Sequence, residues 1–174
     1  MQTKVVNFIG GPGIGKTTLC ALIFAELKKK GFIVEYVQEY AKHLVWTKDF
    51  ELLNNQYFVS QTQFKLLDKI NGQVQFILTD GPIIQGVYYN KYNPDNMSNV
   101  QKVEKYIINS HNKFNNINIL LKRGKHKYEE QGRLQNEKEA IEIDNILKNI
   151  LDENNLKYLY SLDFDEIIKF ILSN

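Results

Sequence analysis

Hydrophobic and polar positions in this chain follow two alternating rhythms. Short apolar runs, Val5-Val6-Asn7-Phe8-Ile9, Phe32-Ile33-Val34-Glu35-Tyr36-Val37, Phe76-Ile77-Leu78-Thr79-Asp80, Ile117-Asn118-Ile119-Leu120-Leu121 and Lys157-Tyr158-Leu159-Tyr160, read as strands. Between them apolar residues recur at helical spacing. Leu19, Leu22, Ile23 and Leu27 mark one helix face, closed by Lys28-Lys29-Lys30-Gly31 with a basic last turn and a glycine stop. Residues 40 to 46 read as a short helix. A longer one carrying Tyr57, Phe64, Leu67 and Ile70 stops near Asn71-Gly72. Residues 83 to 90 continue as helix or turn, 90 to 96 form a polar loop, and Ser98 caps a helix reaching Phe114. From Asn136 a helix buries Ala140, Ile143, Leu147, Ile150 and Leu151. Asp163, with Glu166 at the capping-box position, starts a last helix whose buried face is Phe164, Ile167, Ile168, Ile171 and Leu172. Five strands alternating with helices predict an α/β fold, a parallel sheet covered on both faces, over a single domain spanning 1–174.

The first strand runs into Gly10-Gly11-Pro12-Gly13-Ile14-Gly15-Lys16-Thr17-Thr18, which contains Gly-x-x-x-x-Gly-Lys-Thr. The glycines let successive backbone N–H groups converge on one concavity. The helix starting near Lys16 adds its unpaired first-turn N–H groups and the positive end of its dipole. The Lys16 ammonium is suited to the outer phosphates of a bound nucleotide, and the Thr17 hydroxyl to a magnesium ion bridging them. A glycine-rich turn without a ligand is the alternative, but strand, loop and helix in this order favour a nucleotide such as ATP.

Two strand ends add carboxylates. In an open parallel sheet the carboxyl ends of strands face the ligand crevice, which makes Glu39 and Asp80 site candidates. Asp80, before Gly81-Pro82, suits a second metal-holding acid; a plain turn former is the alternative. Lysine outnumbers arginine twenty to two, and both arginines, Arg123 and Arg133, fall in the basic, glycine-containing segment after the fourth strand. That segment, about 122–135, is expected to be a mobile lid bringing guanidinium groups to the phosphates, with a solvated charged loop or nucleic-acid patch as the alternative.

Bulk properties narrow the classes. A formal charge of +2 over 174 residues does not argue for nucleic acid or a membrane surface. The single cysteine, Cys20, rules out internal disulfides and suggests a reducing compartment. The N-terminus runs directly into the first strand and no apolar run would span a bilayer, so a soluble cytoplasmic protein is expected. His43, His111 and His126 show no metal-ligand spacing.

On Gly10 to Thr18, Glu39-Tyr40-Ala41-Lys42, Thr79-Asp80-Gly81-Pro82 and Tyr128 through Gly132-Arg133, the chain resembles P-loop kinases of the nucleoside and nucleotide kinase group, and among them nicotinamide-riboside-kinase-like proteins of phages and bacteria. The resemblance implies strand order 2-3-1-4-5, a lid after strand four, ATP and magnesium as cofactors, and phosphoryl transfer to an acceptor hydroxyl. Lys16 and the loop would stabilise charge, Arg123 and Arg133 would close on the phosphates, Glu39 would act as base and Asp80 would hold metal with Thr17. Glu39 and Asp80 both remain open as the base. Tyr40, Trp46, Gln61 and Tyr88 are candidates for holding a flat base or pyridine ring. Where that family often has arginine or serine after the strand-three Asp, this chain has Gly81. The expected partner is a small nucleoside- or nucleotide-type acceptor, with a hydroxymethylated pyrimidine in phage DNA as a second possibility and homo-oligomers possible. A nucleotide-hydrolysing switch without an acceptor is the third reading; the fourth strand ends in Leu120-Leu121-Lys122-Arg123, not in a guanine-reading Asn-Lys-x-Asp.

Overall fold

Strand propensity and continuous burial place the first apolar run at the centre of the molecule. In a computed structural model, which describes residues 2–125, 128, 131 and 134–174, β1 (Lys4–Ile9) pairs in parallel with β3 (Phe76–Thr79) on one side and β4 (Asn115–Leu121) on the other. β2 (Val34–Val37) extends the sheet beyond β3, and β5 (Leu159–Ser161) extends it beyond β4. The order is therefore β2-β3-β1-β4-β5, all parallel, as the resemblance implied. The register Val5↔Ile77, Val6↔Leu78 and Asn7↔Thr79 puts the ends of β1 and β3 side by side. Arg133 and His126 lie outside the described residues.

Alternation along β1 feeds two separate cores. Val6 and Phe8 face α1 (Lys16–Lys29) and α8 (Phe164–Ser173), where Cys20, Ile23, Leu27, Ile167 and Ile171 are buried. Val5 and Ile9 face α4 (Gln56–Asp68), α5 (Gly86–Tyr92), α6 (Val100–His111) and α7 (Glu137–Glu153) through Leu67, Val87, Ile107, Ile143 and Leu147. This is the three-layer α/β arrangement, with parallel strands buried on both faces. No helix among the described residues is long and apolar enough to cross a membrane.

Several boundaries differ from those expected. Leu22 lies on the solvent side of α1, 55% exposed, because the buried stripe is Lys16, Cys20, Ile23 and Leu27. The region before β3 splits into α2 (Tyr40–Thr47), α3 (Phe50–Asn54) and α4, since Asp49 and Asn55 each accept an N-cap bond from the following turn. Asn99 rather than Ser98 caps α6: the Asn99 side chain accepts from the Lys102 amide, while Ser98 Oγ accepts from the Tyr57 amide. β5 starts at Leu159, two residues after Lys157, and ends at Ser161, one residue after Tyr160. Asp163 does cap α8, but the Glu166 carboxylate accepts from Ser161 Oγ, so the capping box expected there does not close. The box at Asn136 and Glu139 on α7 does. Leu172, at 40% exposure, faces solvent.

One polar network crosses the apolar interior. Asn7 Nδ2 donates to Asn116 Oδ1 at 2.9 Å and to Asn118 Oδ1 at 3.1 Å, tying β1 to β4, and Asn116 Nδ2 donates to the His111 carbonyl at 2.6 Å. The His111 ring is buried beside this network and its Nε2 has no hydrogen-bond partner among the described residues. Burial lowers the His111 pKa from 6.5 to about 4. The unfolded chain takes up a proton below about pH 6.5 that the folded chain refuses, so stability falls as the pH drops from there towards 4. The displacement is worth about 3 kcal/mol. Thermal melts from pH 7 to pH 4 should show this loss, and His111→Leu should flatten it; an unchanged pH slope in that variant would assign the acid sensitivity elsewhere.

Candidate functional site

β1 ends at Ile9, and the glycine-rich segment that follows cannot extend the strand. Gly13 and Gly15 adopt φ of 71° and 102°, left-handed values that cost side-chain-bearing residues energy. Gly15 is the N-cap of α1, and no side chain caps that end, which leaves the first-turn N–H groups facing the loop. Lys16, buried, reaches back along the loop: its Nζ donates to the Gly10 carbonyl at 2.7 Å and to the Gly11 carbonyl at 3.1 Å. Burial pushes its ammonium below the usual lysine range, with Glu39 and Asp80 pulling the other way. A cationic group poised inside a ring of amides is an arrangement fit for polyphosphate.

The strand ends bring two acids to this loop. Thr17 Oγ1 donates to Asp80 Oδ2 at 2.5 Å, and the Glu39 amide donates to Asp80 Oδ1 at 3.0 Å. One carboxylate therefore joins the phosphate loop, the end of β3 and the end of β2. The oxygens of Thr17 and Asp80 suit a hard cation such as magnesium, which takes few protein ligands and completes its shell with water and phosphate. Glu39 is partly buried as the N-cap of α2, and burial raises its pKa above the carboxylate range, opposed by Lys16 and reinforced by Asp80. Gly81 makes this juxtaposition possible. A Cβ at Gly81 would lie 2.6 Å from Glu39 Cα, so the arginine or serine common in the resembling family has no room here.

A cleft of about 700 Å³ takes in the loop residues Pro12, Gly13 and Gly15 to Thr18 together with Glu39. Trp46, Phe50, Tyr88, Tyr89 and Tyr92 give it aromatic walls, with Tyr88 and Tyr92 stacked at 5.2 Å. Trp46 stands at the rim, 62% exposed. Gln131, Leu134 and Gln135, from the segment after β4, line its other side. The Tyr128 ring lies against Gly13, where an added Cβ would be 2.5 Å from a ring carbon, and its hydroxyl donates to the Gln135 carbonyl at 2.7 Å.

The structure brings together Gly10 through Thr18, Glu39, Asp80, Trp46 and Tyr88. Three candidates point elsewhere. Tyr40 does not line the cleft and packs edge-on against Phe58 at 6.1 Å. Gln61 donates to Tyr57 Oη at 3.0 Å and accepts from Lys65 Nζ on the outer side of α4. Arg123, expected on the lid, instead binds Asp144 on α7: its Nε donates to Asp144 Oδ2 at 2.7 Å.

Three residues were not foreseen. Gln63 accepts from the Tyr40 amide at 2.9 Å and donates to the Gln38 carbonyl at 3.2 Å, holding the turn that presents Glu39. Gln85 Oε1 accepts from the Gly10 amide at 3.4 Å. Asp144 accepts from the Gly11 amide at 2.6 Å. A signal existed for the first: Gln56, Ser60, Gln63 and Leu67 form the buried face of α4, three polar residues where helical spacing calls for apolar ones.

Gly81→Ala tests the crowding. The methyl group must push the Glu39 backbone away, at a cost of about 1 to 3 kcal/mol by analogy with overpacked cores. A thermal melt lowered by several degrees is expected; an unaltered melting temperature would show that the two strand ends separate freely.

Comparison with solved structures finds the same fold in other proteins. NadR protein in complex with NAD and AMP-PNP superposes with a TM-score of 0.65 at 16% identity, covering 98% of this chain and 49% of that one. The chain thus spans about half the length of that protein. Thymidylate kinase from Candida albicans gives 0.60 at 13% identity, covering 99% and 90%, and deoxyadenosine kinase from M. mycoides, with products dCMP and dCDP, gives 0.53 at 19%, covering 97% and 96%. No curated protein sequence matches significantly. A family model described as an AAA domain, AAA_28, matches residues 5–161, which takes in the phosphate loop, both strand-end carboxylates and all five strands, and the chain therefore belongs to the AAA_28 family of P-loop domains.

Proposed function

We propose that the protein is an ATP-dependent phosphotransferase moving the γ-phosphoryl group to a hydroxyl of a nucleoside- or nucleotide-type acceptor. The observation that carries this reading is a single cleft lined at once by the phosphate loop from Gly15 to Thr18, by Glu39 and by the aromatic side chains, with Asp80 bonded to Thr17 beside it. A hydrolytic switch has no need of such a cleft. The nucleoside and nucleotide kinases that share the fold support the same reading.

In this mechanism the loop amides and Lys16 bind the triphosphate and stabilise the charge that spreads over the transferring oxygens. Thr17 and Asp80 would hold magnesium, which when bound neutralises phosphate charge. Glu39 takes the proton of the acceptor hydroxyl, a role its raised pKa suits because a stronger base accepts the proton more readily. Trp46 and Tyr88 hold the flat part of the acceptor by stacking. Arg133 would add guanidinium contacts to the transferring phosphoryl group.

The decisive assay incubates the protein with labelled ATP and magnesium against nucleosides, nucleotides, nicotinamide riboside and hydroxymethylated DNA. Label transferred to one acceptor supports the proposal; label released only as free phosphate supports a switch. Lys16→Ala should lower turnover by about a thousandfold or more, the scale of a lost transition-state charge contact. Glu39→Gln should cut turnover while calorimetry shows ATP still bound. Because a general base must be ionised and Glu39 is held above the usual carboxylate range, the wild-type rate should fall on the acid side at a pH above that range. A rate flat down to pH 4.5 would remove Glu39 as base.

A further inference from the structure

The Asp144 carboxylate and the Arg123 guanidinium meet the phosphate loop from outside the nucleotide-facing side. Asp144 Oδ1 accepts from the Gly11 amide at 2.6 Å, and its Oδ2 accepts from Arg123 Nε at 2.7 Å. Arg123 Nη2 in turn donates to the Pro12 carbonyl at 3.1 Å and to the Ala140 carbonyl on α7 at 3.3 Å. Both side chains are less than one-fifth exposed, 16% and 18%. The fit leaves no slack: a Cβ at Gly11 would come within 2.6 Å of the Ala140 carbonyl and 2.8 Å of Asp144 Oδ1.

We infer that Arg123 and Asp144 form a clamp that pre-shapes the phosphate loop, and that Arg123 is a positioning residue rather than a lid arginine acting on the transferring phosphoryl group. The inference rests on the nucleotide-binding reading above. Its logic is electrostatic as well as geometric. A bare carboxylate beside a triphosphate site repels the ligand; paired with a guanidinium it becomes a neutral bracket able to grip an amide. Arg123 holds the bracket closed through a fork that serves Asp144 and the Pro12 carbonyl at once, a geometry lysine lacks. The clamp joins the loop to α7, the helix that follows the segment lining the far wall of the cleft. Asp144 takes the Gly11 N–H for itself.

A double-mutant cycle separates the two roles of Arg123. Magnesium-ATP affinity is measured by calorimetry on the full chain for wild type, Arg123→Met, Asp144→Ala and the double variant. If the residues act as one clamp, each single change weakens binding and the double variant is no weaker than Arg123→Met alone, a coupling of about tenfold as expected for contacting residues. If Arg123 acts on the nucleotide independently of Asp144, the two losses multiply and the inference falls. The ligand-free protein supplies a second measurement. Hydrogen exchange at the Gly11 amide should quicken about tenfold or more in Asp144→Ala, because its acceptor is gone. Unchanged exchange overturns the clamp even where ATP binding is intact, and quickened exchange upholds it even in a protein that binds no ATP.

Discussion

The site depends on a single shared carboxylate. Asp80 accepts at once from the Thr17 hydroxyl and the Glu39 amide, so the first turn of α1, the end of β3 and the turn after β2 hold one position relative to one another. A hydrogen bond to a charged group contributes about 1.5 to 3 kcal/mol, and here two converge on one acid. The sheet order makes this possible, because β3 lies between β1 and β2 and so carries its last residue to the point where the other two strands release their loops.

Around that junction the molecule places charges where burial makes them reactive. Lys16 and Glu39 are both withdrawn from water, and burial displaces each towards its neutral form while the other draws it back. Neither is at ease without a ligand or a partner. Lys16 resolves this by donating to two loop carbonyls, a provisional arrangement that a phosphate oxygen can replace. Such strain is tolerable because the surrounding sheet is well packed, with Val5, Val6, Phe8, Ile9, Ile77 and Leu78 fully buried beneath it.

The supporting shell is polar where a helix of this kind is ordinarily apolar. Gln63 spans from α4 to the turn before Glu39, Gln85 reaches the Gly10 amide, and Asp144 with Arg123 grips Gly11 and Pro12. Each spends a buried amide or carboxylate on a backbone group that would otherwise lack a partner, consistent with the cost of leaving such groups unpaired. The glycine-rich loop is thus held from behind by Gln85 and Asp144 on two helical segments and by Arg123 after β4.

Much of this was already written in local spacing. The motif from Gly10 to Thr18, the strand-end positions of Glu39 and Asp80, the stripe of α7 and the alternation of strand and helix all depend on neighbours a few residues away, and the chain alone determines them. Helix ends were less legible, because Ser98 and Asn99 offer equivalent caps and the choice falls to contacts such as that between Ser98 and the Tyr57 amide. What only the tertiary structure decided are pairings across long stretches of chain: Thr17 with Asp80, Gly81 against Glu39, Gly11 with Asp144. The side-chain rotations that turned Tyr40 and Gln61 away from the cleft belong there too, as does the one that turned Arg123 onto Asp144. Residue type fixes what such a group is able to bond. Which partner it meets is set by the packing of whole elements, and no local pattern encodes that.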